Sequence, residues 1–482
     1  MNKTTKPKLA IAISTKSFIS VMCILLALII LAGTLTYIVP RGTFLRTIVN
    51  GKEQIVPNSY MPLAGESGIS IVKWIFAPIL VLASSDSLNI IVISILLLVL
   101  AGAFSIIEST GGIKVLALRL IKKFSSKKDL LIWAVVLFFM LISSLFGIFE
   151  ETLVLLPLMF IVARSMNWDT TTALSMSVLA SGIGFSCPLF NPFTIGIAYQ
   201  IVGGSMLSAI WFRLIIFVLM WVLTSFFVSF MAKRHEVATD KLDPTNSQSA
   251  LDLNEFEQAN ERKIFLTFII FFISVITVMI LASAIPVIVE QGLTMVLIMV
   301  VFLFGSLSCG IIVTKKVGLT LKYFGKGIFA MLPGVLILLM ASSVKYIAVE
   351  GKILDTIMNS LTISLVGVNP YLCVLAIYGI VLLLEFFISS GSAKAYLIMP
   401  ILQFLCIDSP TPIGISINLA ILAFVFGDGF TNMFFPTNAV LLIGLSMSNI
   451  SYGQWIKRNL VYIIIVLVVT SGLLLLGQAI GV

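Results

Sequence analysis

Apolar runs of about 20 residues recur along the whole chain, and they restrict the fold more than any other feature. Of the 482 residues, 59% are hydrophobic and 11% are charged, whereas soluble proteins carry about 25% charged residues. An α-helix satisfies its backbone hydrogen bonds internally, so each such run can cross a bilayer as a helix. The sequence therefore predicts an all-α integral membrane protein with many spans.

The basic residues indicate the orientation in the membrane. The formal net charge is +9, and the lysines and arginines lie in short segments between apolar runs, such as 122–128 and 233–234. This is the positive-inside pattern of a cell-membrane protein with a cytoplasmic N-terminus, and it argues against a nucleic-acid partner. The first span, about 18–39, is too long for a signal-peptide core and is expected to be retained.

The sequence gives little support for a metal site or a cofactor. The single histidine, His235, lies in a basic loop, and the five cysteines fall in or beside apolar runs without paired spacing. No His/Cys metal cluster can be built from these residues, and the cysteines are expected to pack as small apolar side chains. We predict no cofactor and no firm metal site.

The chain divides into two halves with the same order of features. A polar segment, residues 233–263, separates a first repeat, 1–232, from a second repeat, 264–482, which has one extra span. Pro157 and Pro400 are 243 residues apart, and the pairs Pro192/Pro436 and Trp211/Trp455 are each 244 apart. The extra span reverses the second half, which predicts an inverted-topology repeat, typical of secondary transporters.

Each half contains an interrupted hairpin and a broken helix. In the first half, 130–164 is expected to be a re-entrant hairpin with its tip at 147–152, because 152–164 is too short to cross alone. The following helix, 171–210, is expected to break near 188–192. In the second half the corresponding interruptions are placed at 389–394 and 427–438. Broken backbone is tolerated at this depth where it lines a cavity, so the four interruptions predict a binding site.

The polar residues of these four interruptions are expected to converge at the middle of the membrane. Glycine permits close backbone approach, and proline leaves carbonyl groups free to coordinate a ligand. The expected substrate- or ion-binding residues are Glu150, Glu151 and Thr152; Asn191, Pro192 and Thr194; Ser390, Gly391, Ser392 and Lys394; and Asp428, Thr431, Asn432, Thr437 and Asn438.

The charged members of this set have two interpretations. Glu151 and Lys394 are 243 residues apart and could pair across the site. The carboxylates Glu150, Glu151, Glu385 and Asp428 outnumber Lys394, which leaves room for H⁺, for Na⁺ at the hairpin tips, or for an ammonium-bearing substrate. The alternative is a structural ion-pair network, in which Glu385 pairs only locally.

A second class of function is an intramembrane hydrolase. Ser392 precedes Lys394 by two residues, and a Ser/Lys dyad is a known nucleophile–base pair. No other polar element forms an obvious oxyanion hole, and this hypothesis leaves the inverted repeat unexplained. We therefore expect a transporter and not an enzyme.

Four motifs, taken in order, resemble the YfcC-type branch of the anaerobic C4-dicarboxylate carrier family, which is placed in the ion-transporter superfamily. They are "FEETLVLLPL", "NPFTIGIAY", "SSGSAKAYLIMPIL" and "TNMFFPTNAVLLIGL". The resemblance covers nearly the whole chain. It implies a scaffold domain, a transport domain with two opposed hairpins, elevator-like movement and a homodimer. Carried over residue by residue, it also implies the site residues named above, apart from Asn438, together with Pro436.

The resemblance also bears on the substrate. Members are described as dicarboxylate carriers, and some similar proteins exchange arginine for ornithine. This sequence departs from the family pattern at Asn438–Ala439, where Ser-Gly is usual, and at Tyr199, where Gln is common. We expect a secondary transporter for a small carboxylate-bearing solute, first an amino acid, which could be basic, and alternatively a C4-dicarboxylate.

Overall fold

The computed structural model describes residues 15–49, 52–65, 68–84, 87–124, 127–147, 149, 152–235, 255–285, 293–365, 367–388, 390–408 and 413–482. These residues are mostly α-helical, as predicted. Within them, seven helices are long and apolar enough to cross a membrane. The chain is a multi-pass, all-α membrane protein.

The first half supplies ten of the α-helices that the structure describes. They are α1 (Thr15–Ile38), α2 (Ile71–Leu80), α3 (Ser87–Ser109), α4 (Gly112–Phe124), α5 (Lys128–Phe146), α6 (Thr152–Ser165), α7 (Thr170–Leu174), α8 (Ala180–Ser186), α9 (Ile197–Val202) and α10 (Ile210–Arg234). A π-helical turn, Ser175–Leu179, joins α7 to α8, and another, Pro192–Gly196, leads into α9.

The helices of the second half follow the predicted order of spans and interruptions. They are α11 (Glu255–Ala259), α12 (Glu261–Ala284), α13 (Thr294–Thr314), α14 (Val317–Glu350), α15 (Leu354–Ile363), α16 (Pro370–Glu385), α17 (Gly391–Gln403), α18 (Ile417–Phe430), α19 (Ala439–Ser448) and α20 (Tyr452–Ile480).

The predicted interruptions of the second half are wider than the structure shows. The first interruption was placed at 389–394, but α17 already begins at Gly391, because the Ser390 side chain accepts a hydrogen bond from the Ala393 N–H and caps the helix. The second was placed at 427–438, but α18 continues to Phe430 before the break. Lys394 and Asp428 are therefore helical residues beside the breaks.

Four short strands between α1 and α2 were not predicted. β1 (Gly42–Thr43) pairs antiparallel with β4 (Met61–Pro62), and β2 (Arg46–Val49) pairs with β3 (Lys52–Ile55). Asp355 at the start of α15 holds these ribbons in place. Its carboxylate accepts hydrogen bonds from the Phe44 N–H at 3.0 Å and from Arg46 Nη2 at 2.9 and 2.8 Å.

The long helices pack in two groups, and each group draws on both halves of the chain. In the first group, α3 packs against α13 and α14, α1 packs against α14, and α12 packs against α13. In the second group, α5 packs against α8 and α10, α16 packs against α18 and α20, and α8 packs against α18. The predicted interruptions therefore lie together in the second group.

Contacts between the two groups are concentrated at a few elements. Helix α4 packs against α6, α19 packs against α1 and α14, and β3 packs against α17. Ile388, in the second hairpin, packs in a small buried cluster with Ala348, Ile353 and Leu354 of the first group.

The predicted linker, 233–263, is helical at both ends. Residues 233–234 complete α10, and the structure resumes with α11 at Glu255. Glu257 of α11 is buried and lies 3.4 Å from the Lys114 ammonium nitrogen on α4. The C-terminal end of the segment is thus packed against the first half.

Candidate functional site

Helices α16 and α17 lie in the segment predicted to be the second hairpin. Asn369 caps the start of α16 by accepting a hydrogen bond from the Tyr371 N–H at 2.9 Å, with Pro370 in the first helical position. Glu385 ends α16, and Lys394 lies in the first turn of α17. The two helices thus bring an acidic and a basic residue from their ends close together.

Lys394 forms ion pairs with two carboxylates in the interior of the second group. Its ammonium nitrogen lies 2.6 Å from Asp428 Oδ1 and also pairs with Glu385. All three side chains are at most 1% exposed. Burial of charge is costly unless the partner groups compensate it, and here two acids face one base. We call Glu385, Lys394 and Asp428 the charged triad.

The triad retains capacity to bind a cation. The carboxylate oxygens of Glu385 and Asp428 accept no hydrogen bond of good geometry from the described chain. With all three groups ionised, the triad carries one net negative charge. A cationic group of a ligand, Na⁺ or H⁺ would compensate that charge.

Gly391 allows the hairpin tip to approach the triad closely. A Cβ atom on Gly391 would lie 2.6 Å from Asp428 Oδ2 and 2.8 Å from Thr194 Cγ2. Distances below about 3 Å are shorter than the packing of two atoms allows. A residue from each broken helix therefore contacts the tip of the second hairpin, as the predicted convergence requires.

Gly147, at the predicted tip of the first hairpin, lies against the first broken helix in a similar way. Gly147 ends α5 in the left-handed region, with φ 69°. A Cβ atom there would lie 2.3 Å from Asn191 Oδ1. Gly147 and Gly391 are 244 residues apart, the spacing that relates the two halves. Each hairpin tip thus places a glycine against a polar side chain of a broken helix.

Ser144 stabilises the broken backbone between α8 and the π-helical turn. Its hydroxyl donates to the Cys187 carbonyl at 2.7 Å and accepts from the Leu189 N–H at 2.9 Å. Asn191 then caps the next turn by accepting from the Phe193 N–H at 2.9 Å. These bonds satisfy backbone groups that an interrupted helix leaves without partners.

Three predicted site residues have buried polar atoms free to bind a ligand. Asn191 Nδ2, Thr194 Oγ1 and Thr437 Oγ1 are buried and make no hydrogen bond with the described residues. Other buried polar atoms without a partner in the part of the chain that the structure describes lie outside the site, for example those of Ser105, Ser225 and Ser229, so what distinguishes these three is that they belong to the predicted site. They could donate to a carboxylate or coordinate a cation.

Other predicted site residues are occupied with internal hydrogen bonds. Asn432 Nδ2 donates to the Asp428 carbonyl at 3.1 Å, and Asn432 Oδ1 accepts from Asn438 Nδ2 at 2.7 Å. Asn438 Oδ1 accepts from the Leu441 N–H and caps α19. Thr431 donates to the Gly427 carbonyl at 3.4 Å. These residues shape the second break.

Thr152 is also internally paired, and Ser181 is a partner that sequence reasoning missed. The two hydroxyl oxygens lie 2.8 Å apart, and both side chains are buried. Ser181 lies in an apolar helix without any motif, so only its small polar side chain hinted at this role.

Tyr199, expected to affect substrate choice, donates to Asn418 Oδ1 at 3.1 Å and links the two halves.

Several sequence hypotheses meet different outcomes here. Glu150 and Glu151 lie outside the described residues, so their pairing with Lys394 stays a prediction. Glu385 was weighed as a local partner, and it does pair with Lys394.

Ser392 Oγ lies 3.3 Å from Ser390 Oγ, while the Lys394 ammonium contacts carboxylates, so this geometry gives no support to a Ser392–Lys394 dyad. Among the described residues, no three His, Cys, Asp or Glu side chains group to hold a metal ion.

Comparison with known proteins identifies relatives over most of the chain. The profile of a family described as C4-dicarboxylate anaerobic carrier matches residues 18–479. An Escherichia coli K12 protein named "Putative basic amino acid antiporter YfcC" is 25% identical over 404 residues, which cover 80% of this chain and 77% of the relative. An uncharacterized protein of Haemophilus influenzae Rd is 24% identical over 381 residues, covering 76% of this chain and 71% of the relative.

Two solved transporter structures align along almost the whole chain with low similarity. The YdaH transporter of Alcanivorax borkumensis gives a TM-score of 0.43 at 17% identity, covering 96% of this chain and 98% of that chain. MtrF of Neisseria gonorrhoeae, described in connection with a class of antimetabolite efflux pumps, gives 0.42 at 15% identity, covering 98% and 95%.

Proposed function

The chain belongs to the C4-dicarboxylate anaerobic carrier family, and from this premise we propose that it is a secondary active transporter of an amino acid, in particular a basic one such as arginine or ornithine. The charged triad is the observation that carries this proposal. Two buried carboxylates share one lysine in the interior of a membrane protein, which leaves one net negative charge within the triad. Lys345 is a further cation near Lys394. The name of the Escherichia coli relative points to the same class of substrate.

The triad suggests how a basic amino acid would bind. Without substrate, Lys394 compensates one of the two acids. When substrate enters, its α-ammonium and its side-chain cation pair with the two acids, Asp428 and Glu385, and the Lys394 ammonium turns to the substrate carboxylate. The free polar atoms of Asn191, Thr194 and Thr437 would complete the hydrogen bonds of the ligand. Three ion pairs then replace the one that Lys394 supplies, and no charge is left buried alone.

The arrangement of the helices is compatible with an elevator mechanism. The site lies in the second group, whose contacts with the first group are few compared with those inside each group. We propose that the first group is the scaffold and that the second group moves across the membrane with the substrate. Both helix pairs α5–α6 and α16–α17 would then be re-entrant hairpins of an inverted repeat.

A C4-dicarboxylate is the second candidate substrate, and the family description favours it. Two substrate carboxylates would meet Lys394, but also Glu385 and Asp428 at close range. Like charges at such distances repel, so a dicarboxylate requires that H⁺ or Na⁺ neutralise the two acids. The same site could serve either substrate, with different coupling ions.

Location, orientation and assembly follow as parts of the same proposal. We propose that the protein lies in the cell membrane with its N-terminus in the cytoplasm, and the positive-inside pattern of the basic segments supports this orientation. A homodimer through the scaffold would leave the moving group free. Neither enzymatic activity nor a resident cofactor forms part of the proposed function.

Counterflow in proteoliposomes tests the substrate directly. Vesicles are loaded with unlabelled arginine, ornithine, aspartate, succinate or a neutral amino acid, and uptake of the labelled form is measured with and without a Na⁺ gradient. Uptake with arginine or ornithine supports the first proposal. Uptake with succinate alone replaces it by the dicarboxylate function, and exchange of none of these solutes contradicts both.

A further inference from the structure

A groove on the surface of the first helix group, away from the charged triad, is lined by basic residues at one end and by several apolar residues along its length. It lies between α12 and α13 and has a volume of about 710 Å³. Its floor includes Phe271, which packs on Gly305: a Cβ atom there would lie 2.7 Å from Phe271 Cε2. The missing side chain of Gly305 thus keeps the groove between the helices deep.

The mouth of the groove carries two basic side chains, Arg262 and Lys263. Neither has an ion-pair or hydrogen-bond partner among the described residues. The neighbouring acids are already occupied, because Glu257 pairs with Lys114 at 3.4 Å and Glu261 pairs with Arg119 at 3.2 Å. The mouth therefore keeps two positive charges that the adjacent protein surface does not compensate.

Beyond the two basic residues the groove has several apolar, outward-facing side chains, with the hydroxyls of Thr267, Ser274 and Ser308 between them. Leu266, Ile270 and Ile312 line it and are 45%, 63% and 51% exposed. From Lys263 to Ser274 the groove follows α12 for roughly 16 Å at 1.5 Å per residue. This length is close to the hydrocarbon thickness of one leaflet, about 15 Å.

We propose that this groove binds a phospholipid with an anionic headgroup. The lipid phosphate contacts Arg262 and Lys263, and one acyl chain lies along Leu266, Ile270 and Ile312. Charge at one end and an apolar trough at membrane depth match the two ends of a phospholipid. A second copy of the chain fits less well, because a symmetry axis along the membrane normal would bring four uncompensated cations to one interface.

Native mass spectrometry of the purified full-length protein, released from bilayers of phosphatidylglycerol and phosphatidylcholine with identical chains, tests this proposal. We expect wild-type protein to retain phosphatidylglycerol with about tenfold preference or more, since each basic residue near the headgroup adds to the attraction. The double variant R262Q/K263Q should lose this preference. The variant K322Q/K326Q removes two exposed lysines of α14 outside the groove and should keep it.

A second variant tests the apolar part of the groove. Ser308 is exposed and lines the groove, so S308W should fill the trough and reduce retention of both lipids. Equal lipid preference in R262Q/K263Q and K322Q/K326Q would overturn the proposal. So would an S308W protein that keeps its lipid but loses a dimer, since the groove would then be an interface between copies.

If a variant fails to fold, the thermal stability of the wild-type protein in the presence of added lipid still tests the proposal. Titration with phosphatidylglycerol should raise the unfolding midpoint more than equal amounts of phosphatidylcholine. Inorganic phosphate alone should not raise it, because it lacks the acyl chain. The same shift with phosphatidylcholine, or with phosphate, would contradict an anionic phospholipid as the occupant.

Discussion

Gly391 lies against the carboxylate of Asp428, so that a Cβ atom on the glycine would be 2.6 Å from Asp428 Oδ2. One residue of the hairpin tip thereby fixes the position of a buried acid on a different helix. The contact therefore couples the position of the α17 backbone to the position of the Asp428 carboxylate in the charged triad. Any side chain at position 391 must displace Asp428 or Thr194.

Gly391→Ala is therefore expected to impair transport. Forcing a methyl group into a packed site costs about 1–3 kcal/mol, which corresponds to a loss of roughly tenfold or more in transport rate if Asp428 is displaced. The matched control is Gly379→Ala, on the other arm of the same hairpin, where a Cβ atom would meet nothing within 4 Å. The measurement is the initial rate of counterflow of each variant, with equal amounts of protein in the vesicles. Equal rates would mean that the close approach has no role.

Lys394→Met should destabilise the protein strongly. It leaves Glu385 and Asp428 buried without a cation, and breaking a buried ion pair from one side costs about 3–5 kcal/mol. The double variant E385Q/K394M restores the original net charge of the triad and should recover part of the lost stability. Thermal unfolding in detergent measures both effects.

Measurements of transport distinguish a triad that binds substrate from a triad that only stabilises the fold. If Lys394 contacts substrate, E385Q/K394M should remain defective in counterflow even where its unfolding midpoint approaches that of the wild type. Wild-type transport by this double variant would show that the three charges only stabilise the fold.

Discrimination between arginine and agmatine tests the contact between Lys394 and the substrate carboxylate. Agmatine keeps the guanidinium group and lacks the carboxylate. A hydrogen bond to a charged group contributes about 1.5–3 kcal/mol, so wild-type protein should prefer arginine by roughly tenfold or more. In E385Q/K394M this preference should fall towards one, as measured by competition for equilibrium binding of labelled ornithine to the purified protein, which does not require transport. An unchanged preference would assign the carboxylate to another group, such as Thr194 or Asn191.

Asp355→Asn should release the β-ribbons from α15. Asp355 is 8% exposed and accepts hydrogen bonds from Arg46 and from the Phe44 N–H. Because Arg46 is partly exposed, we expect a cost of about 1–2 kcal/mol and faster limited proteolysis between residues 42 and 62. Glu350→Gln is the control, since its ion pair with Lys73 is exposed on both sides and should contribute at most about 1 kcal/mol. Equal proteolysis of the two variants would argue against Asp355 as the anchor.

The spans and interruptions could be predicted from the sequence because hydropathy, proline and glycine act locally. The partners of Lys394 could not, since the sequence shows which charges lie in apolar runs but not how each helix is rotated about its axis. Glu151 was the partner proposed from the spacing, and it lies outside the described residues. The packing of α17 on α18 brings Asp428 into contact with Lys394. The role of Asn438 in ligand binding stays a prediction; its two polar ends cap α19 and bond Asn432, which the sequence did not indicate.

The β-ribbons illustrate a different difficulty. Strands of two to four residues carry too little alternation to predict. Their stability depends on Asp355, which lies about 300 residues further along the chain and could not be recognised as a partner from local pattern.

The pairing of α3 with α14 has a consequence for biosynthesis. The ribosome delivers α3 to the membrane before the segment that becomes α14 has been made, and roughly 200 residues of chain separate them. During that interval the faces of α3 that finally pack on α13 and α14 must be covered by lipid or by the insertion machinery. Separately synthesised halves should therefore reach their native state only when both are present in the same membrane.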